Sequence, residues 1–191
     1  MKKFILSGLV ILLFFINQIL GQTFQKGDFV GNITIGFGSS MYLGYGYGSP
    51  TYSIPAISLS GDYGLLDNLT KTGIFSIGAV AGYKSESWSY YGYTAKASDI
   101  LIGPRSTFHY QFIEKLDTYI GLELILDLRS WSNSSSISYY NYIPSSLTSK
   151  TYVRIPGFIG ARYYFTDKIG ALAEFGWGIA YFNIGLSLKL Q

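Results

Sequence analysis

Apolar and polar residues alternate along most of the chain after residue 27, and the charges follow this alternation. In residues 118–129 every even position from 120 to 128 is Ile or Leu, whereas Glu123, Asp127 and Arg129 occupy odd positions. Period-two alternation predicts β-strands that each have one apolar face and one polar face. The same separation holds in residues 28–37, 73–86, 99–112, 153–165, 169–177 and 180–191. No strand charge falls on an apolar face.

The pattern predicts eight strands, at about residues 27–38, 53–65, 73–86, 98–112, 118–129, 151–165, 169–177 and 180–190. A soluble sheet turns its charges outward and packs its apolar face into a core. Here the charged faces of all strands must be gathered together with little apolar core opposite them. A closed barrel with a polar interior and a lipid-facing exterior is the simplest solution. We therefore predict an all-β, eight-stranded antiparallel up-and-down transmembrane β-barrel over residues 22–191.

The predicted connections alternate between long and short. Long connections cover residues 39–52, 87–97 and 130–150, and short ones cover 66–72, 113–117 and 166–168. Transmembrane barrels have long external loops and short periplasmic turns, so both termini are expected in the periplasm. The seventh connection, near residues 176–179, is a tight turn and interrupts this alternation.

The first 21 residues have the features of a secretory signal peptide. Lys2 and Lys3 precede an apolar run over residues 4–16, and Gly21 is a small residue suited to cleavage before Gln22. The apolar run is shorter than the roughly 20 residues that a transmembrane helix needs. We therefore predict a signal peptide over residues 1–21.

Composition agrees with a secreted membrane barrel. Charged residues make up 13% of the chain and aromatic residues 18%, whereas average soluble proteins carry about 25% charged residues. Without Lys2 and Lys3 the chain has 14 − 2 = 12 basic and 11 acidic residues, so its charge does not favour a nucleic-acid partner. The absence of cysteine excludes disulfides and thiolate metal sites.

Two strand segments add a family resemblance. Residues 160–165 read GARYYF and residues 183–190 read NIGLSLKL. With the signal peptide, the alternation and the loop asymmetry, they resemble the small Gram-negative outer-membrane barrels of the OmpX and OmpA-barrel type. The resemblance implies insertion into the outer membrane of the cell envelope. It implies no single activity, because that family includes adhesins, structural barrels and a few enzymes.

Charged side chains on the inward faces form the first candidate site. Eight strands leave an interior just wide enough for side chains, and an unpaired charge there would be costly. Counting from the turns brings Arg105 level with residues 123–127 and Arg162 near Glu174. Ile125 is expected to face the lumen among charges. We predict a structural ion-pair network, with no cofactor or metal site, of Arg105, Glu123, Asp127, Arg129, Arg154, Arg162 and Glu174.

The single histidine, His109, is a weak candidate for catalysis. A hydrolytic site would need a nearby serine and an acidic partner. Ser106 is close in sequence but falls on the opposite face of the strand. We therefore predict that the protein is not an enzyme. A lipid-modifying enzyme and a small pore or uptake channel stay as alternative functions.

The external loops are the second candidate site. Tyrosine and serine together form adaptable contact surfaces, whereas aromatic residues at strand ends, such as Trp88 and Trp131, suit a membrane-interface girdle. We expect a monomer in contact with outer-membrane lipid, with a structural or surface-interaction role towards a polysaccharide or protein. The candidate contact residues are Tyr45, Tyr47, Tyr90, Tyr91, Tyr93, Tyr139, Tyr140 and Tyr142.

Overall fold

The alternating segments form long antiparallel strands. The computed structural model describes residues 23–39, 52–67, 73–90, 93–135 and 149–190; the predicted signal peptide lies outside them. No helix in these ranges is long and apolar enough to cross a membrane. The strands are β1 (Phe29–Ser39), β2 (Tyr52–Leu66), β3 (Gly73–Tyr90), β4 (Tyr93–Ile113), β5 (Leu116–Glu123), β6 (Ile125–Ser135), β7 (Ser149–Arg154), β8 (Gly157–Tyr164), β9 (Ile169–Gly176) and β10 (Ala180–Lys189).

These ten segments make eight spanning strands. Only Leu124 separates β5 from β6, and both halves pair with β4. Residues 155–156 separate β7 from β8, which pair with β6 and β5 respectively. The Leu124 amide donates to the Pro104 carbonyl at 3.0 Å, so backbone pairing continues across the first break.

Pairing of the first and last strands closes the sheet. The register of β1 with β10 runs from Val30↔Lys189 to Ser39↔Ala180. Every other spanning strand pairs antiparallel with its neighbours in the chain. The predicted eight-stranded antiparallel barrel is confirmed.

The two ends of the barrel differ. The lower end carries both described chain ends, the end of β2 with the beginning of β3, and the turns at residues 114–115 and 165–168. At the upper end β3 and β4 continue to Tyr90 and Tyr93, so the predicted long connection over residues 87–97 is wrong. Tyrosine and threonine favour strands, and a hydrogen bond of 3.1 Å between Ser89 and Thr94 joins the two strands in this stretch. Residues 177–179 form the predicted tight turn, so the wall is low at β9 and β10 and tall at β3, β4 and β6.

The outer surface is apolar around the barrel. Outward side chains on four different strands are each more than half exposed: Leu59, Ile120, Ile159 and Leu186. The apolar positions of β6 end at Leu128, and the following outward positions are serines. The alternation therefore places apolar side chains outside and charged side chains inside, as the sequence predicts.

Candidate functional site

Arg105 lies at the centre of a charged cluster in the lower half of the lumen. Its Nε lies 2.9 Å from Asp62 Oδ1, its Nη2 donates to Glu174 Oε1 at 2.9 Å, and its Nη1 lies 3.6 Å from Glu123 Oε1. The guanidinium also lies over the Phe158 ring, 4.5 Å from its centroid. We call the cluster the lower network; it comprises Asp62, Arg105, His109, Asp117, Glu123, Arg162 and Glu174.

Arg162 is the second cation of the lower network, and it is fully buried. Its guanidinium pairs with Asp62 and donates to Asp117 Oδ2 at 3.1 Å. It also lies over the Tyr119 ring, 4.5 Å from the centroid. Gly160 makes room for that ring, because a Cβ at this position would lie 2.5 Å from it. The Tyr119 ring and the Arg162 guanidinium share a closely packed part of the lumen, and any larger residue at position 160 would collide with the ring. The position therefore requires glycine.

A second charged cluster lies in the upper half of the lumen. Arg129 donates from Nε and Nη2 to the two Asp99 oxygens at 2.8 and 2.9 Å. Arg154 pairs with Asp127. This upper network has three cations and three carboxylates, and it comprises Lys84, Glu86, Asp99, Asp127, Arg129 and Arg154.

An apolar layer separates the two networks. Ile125 belongs to it, with 2% exposure, so it faces the lumen as expected, in an apolar layer that has a charged network on either side. Ile179 reaches it from the tight turn between β9 and β10. The layer, which we call the septum, comprises Ala56, Val80, Leu101, Ile125, Ile179 and Ala180. The cavity beneath it holds only about 20 Å³, so side chains fill most of the space between the septum and the lower network.

His109 has an acidic partner on one side and hydroxyl groups on the other. Its Nδ1 lies 2.8 Å from Asp117 Oδ1, and its Nε2 lies 2.8 Å from Thr107 Oγ1 and 3.2 Å from Ser76 Oγ. The two hydroxyl groups are hydrogen-bonded to each other and buried. The sequence analysis did not connect Ser76 and Asp117 with His109. Ser76 lies on the neighbouring strand β3, and Asp117 lies on β5, after the turn that follows β4.

The N-terminal described residues close the lower end over this histidine. The Phe24 ring stacks on His109 with centroids 4.1 Å apart, and Phe24 is 2% exposed. Lys189 Nζ donates to the Thr23 carbonyl at 3.1 Å and pairs with Asp28 at 2.6 Å. An acid, a histidine and a hydroxyl group are thus aligned, but Phe24 covers them from the lower end. The arrangement is a buried polar cluster.

The structure distributes the seven predicted lumen residues between two networks. Arg105 does meet Glu123. Asp127 pairs instead with Arg129 and Arg154 above the septum. Arg162 does not pair with Glu174, because Asp62 and Asp117 occupy its guanidinium while Arg105 takes Glu174. The members that the prediction lacked, Asp62, Lys84, Glu86, Asp99, His109 and Asp117, all lie on inward-facing positions.

Two of the eight tyrosines predicted as loop contacts lie in the part of the chain that the structure describes. Tyr90 and Tyr93 lie at the paired ends of β3 and β4 rather than in a long loop. Trp88 is buried against Trp131, with ring centroids 6.2 Å apart, and is therefore not part of an outward girdle. Six candidate residues lie outside the described ranges: Tyr45, Tyr47, Tyr91, Tyr139, Tyr140 and Tyr142.

Comparison with known proteins gives structural similarity at low sequence identity. No protein-family model and no curated protein matches the chain. The N-terminal β-barrel domain of Pseudomonas aeruginosa OprF is 12% identical, with 87% of this chain and 98% of that domain covered and a TM-score of 0.48. Because this value is below 0.5, the barrel architecture rests on the strand pairing above.

Two structures of Ail, the attachment invasion locus protein of Yersinia pestis, are also similar. The complex with the heparin analogue sucrose octasulfate is 9% identical, covers 86% of this chain and 96% of its own, and has a TM-score of 0.46. The structure in a phospholipid bilayer nanodisc is 13% identical, covers 86% of this chain and 100% of its own, and has a TM-score of 0.40.

Proposed function

We propose that this protein is an outer-membrane β-barrel whose role lies in contacts made at its external end. The observation that carries the proposal is the inverted polarity of the wall. Outward residues such as Ile120 and Leu186 are more than half exposed, whereas Asp62, Asp127 and Arg162 are fully buried. A closed barrel of this polarity satisfies every backbone group internally and presents apolar surface to lipid.

The topology supports a periplasmic position for both termini. The described chain ends share the lower end with the short turns, and transmembrane barrels turn that end towards the periplasm. Residues 1–21 then act as the signal peptide that directs export. Closure between β1 and β10 leaves no open edge in the lower wall, so the barrel is stable as a monomer.

The upper end is the candidate contact surface. Beyond the last apolar outward residues, β4 continues through Lys96 and β6 through Ser130 and Ser132, all exposed. The upper parts of β4 and β6 therefore project beyond the lipid, at the end of the barrel that the Tyr-rich connections join. Such loops on a rigid barrel are suited to binding a polysaccharide or a protein.

A pore is the main alternative function, and the side chains that fill the lumen argue against it. Arg105 and Arg162 fill the lower half, and the septum covers them from above. Eight-stranded barrels have an interior just wide enough for such side chains to fill it. We infer a barrel that does not conduct, and Phe24 over His109 argues in the same way against a lumenal enzyme.

Membrane fractionation combined with gel mobility tests the proposal. We expect the protein in the outer-membrane fraction, resistant to urea extraction, with a mobility in SDS that changes on boiling because the closed sheet resists SDS. The purified barrel should give no conductance steps in planar bilayers. Recovery from the soluble periplasm without detergent would refute the membrane assignment, and regular conductance steps would favour the pore.

A further inference from the structure

The outer face of β3, β4 and β6 changes from apolar to polar at one level. The strand register places Tyr83, Ile100 and Leu128 side by side as the last apolar row. Hydroxyl groups and one lysine lie above this row, because β3 and β4 continue to Tyr90 and Tyr93 instead of ending in the predicted loop. We call this surface the polar wall; row by row it comprises Ser85, Ser98 and Ser130, then Ser87, Lys96 and Ser132, then Ser89 and Thr94.

Lys96 is the one charged side chain at an outward strand position in the part of the chain that the structure describes. It is exposed, and its direct neighbours on the same face are Ser87 and Ser132. Every carboxylate of the described strands is buried in the lumen, so no acid on the polar wall neutralises this lysine. The lower rim differs, because its exposed lysines are matched by exposed acids: Lys26, Lys115 and Lys168 with Asp67, Glu114 and Asp167. Only the polar wall therefore presents an unbalanced positive charge beside the membrane.

The hydroxyl groups nearest the apolar surface are held in place by hydrogen bonds. Ser98 Oγ lies 3.1 Å from Ser85 Oγ and accepts from the Tyr83 hydroxyl at 3.4 Å. Ser85 Oγ also lies 3.2 Å from the Ala97 carbonyl oxygen, to which it donates. The serines of β6 on this wall are exposed, and each hydroxyl group offers both a donor and an acceptor. A ligand that matches the polar wall therefore carries hydrogen-bonding groups as well as negative charge.

The height of the polar wall distinguishes between classes of lipid. Two residues rise about 6.6 Å along a strand, which is about 5 Å along the membrane normal at a tilt of about 40°. The three rows therefore lie about 5, 10 and 15 Å above the last apolar row. The headgroups of a phospholipid leaflet are only about 5–7 Å thick, so they reach the first row and leave the rows above it uncovered. A headgroup built of sugar rings extends further and carries hydroxyl groups along its height.

We propose that the polar wall binds the headgroup of a phosphorylated glycolipid in the external leaflet. Lys96 pairs with a phosphate, which lysine binds as a point charge, and the exposed serines Ser130 and Ser132 bond to sugar hydroxyl groups. The acyl chains of the same lipid lie against the last apolar row, directly below the wall. This inference rests on the proposed function, because it needs the apolar face of the barrel to lie in lipid.

The test uses the full mature barrel in mixed detergent micelles, which have no leaflets, and native mass spectrometry counts the lipid molecules bound to each chain. The probe is an acylated glucosamine disaccharide that carries two phosphates. The comparison lipids are the same disaccharide without phosphates and phosphatidylglycerol, an anionic phospholipid. We expect one molecule of the probe per chain, bound about fivefold more tightly than either comparison lipid.

Variants separate the phosphate contact from the sugar contacts. Lys96→Gln should weaken binding of the probe about fivefold, the equivalent of about 1 kcal/mol, and Lys96→Arg should bind normally. Lys168→Gln, which removes an exposed lysine of the lower rim, is the matched control and should bind normally as well. Replacing Ser130 and Ser132 together by alanine should reduce the preference for the probe over phosphatidylglycerol and keep the preference over the unphosphorylated disaccharide.

Equal affinity for the probe and for either comparison lipid would overturn the proposal, because the wall would then recognise no phosphate or no sugar. Equal weakening in Lys96→Gln and Lys168→Gln would overturn it too, since any surface lysine would serve. The heat-dependent gel mobility is measured on the same samples. A folded barrel without the preference refutes this inference alone, whereas a chain that forms no barrel in micelles refutes the proposed function and this inference with it.

Discussion

Replacing Leu124 by arginine should destabilise the folded barrel in a bilayer far more than its exposure in water implies. Leu124 is the middle one of five outward apolar positions between Ile120 and Leu128, and it is 47% exposed. Eight residues rising about 3.3 Å each on a strand tilted by about 40° span about 20 Å of membrane, so Leu124 lies near the midplane. Arginine at that depth costs about 2–4 kcal/mol. The same substitution on a water-exposed surface usually changes stability by less than about 0.5 kcal/mol.

Ser130→Arg provides the matched control. Ser130 lies on the same spanning strand and the same outward face, beyond the last apolar position, where arginine should cost about 0–1 kcal/mol. Denaturant titration of the barrel in vesicles, followed by tryptophan fluorescence and by gel mobility, gives both free energies of unfolding. Equal values for Leu124→Arg and Ser130→Arg would refute the lipid-facing assignment of this wall.

Three further predictions concern the lumen and the loops. Arg105→Ala removes the partner of Asp62, Glu123 and Glu174 and should lower the free energy of unfolding by about 3–5 kcal/mol; a loss below 1 kcal/mol in urea titration would contradict the network. Phe24→Ala should expose His109, the single histidine, to diethyl pyrocarbonate, with the modification followed by mass spectrometry; an equally unreactive variant would mean that Phe24 is not the cover. Deleting residues 138–146 should leave the heat-dependent mobility intact while reducing binding to surface ligands, and loss of the folded band would show that the loop supports the barrel.

Alternation along each strand predicts most of the architecture, because facing is a local property. Whether Leu124 points out or Arg105 points in depends only on parity within one strand. The strand boundaries at the upper end of the barrel are harder to predict, because Ser and Tyr occur both in strands and in loops. Residues 87–90 therefore belong to β3 although their composition suggests a loop.

Partner choice inside the lumen depends on the register and stagger of strands that are distant in sequence. Arg162 reaches Asp62, which is 100 residues earlier in the chain. Counting from the nearest turn compares only adjacent strands, so it paired Arg162 with Glu174. The septum was missed for a related reason: Val80, Leu101 and Ile125 are apolar residues at inward positions, and they become a layer only when their heights in the barrel coincide.

Depth-resolved accessibility along β5 and β6 tests the central claim most directly. Because the chain has no cysteine, single cysteines at each position from 119 to 128 can carry one spin label apiece. In vesicles, labels at even positions should collide readily with oxygen, which concentrates in lipid, and most strongly near residue 124. Labels at odd positions should be shielded from both oxygen and a water-soluble nickel chelate. Even positions that collide with the nickel chelate rather than with oxygen would contradict the account, because the apolar face would then lie in water.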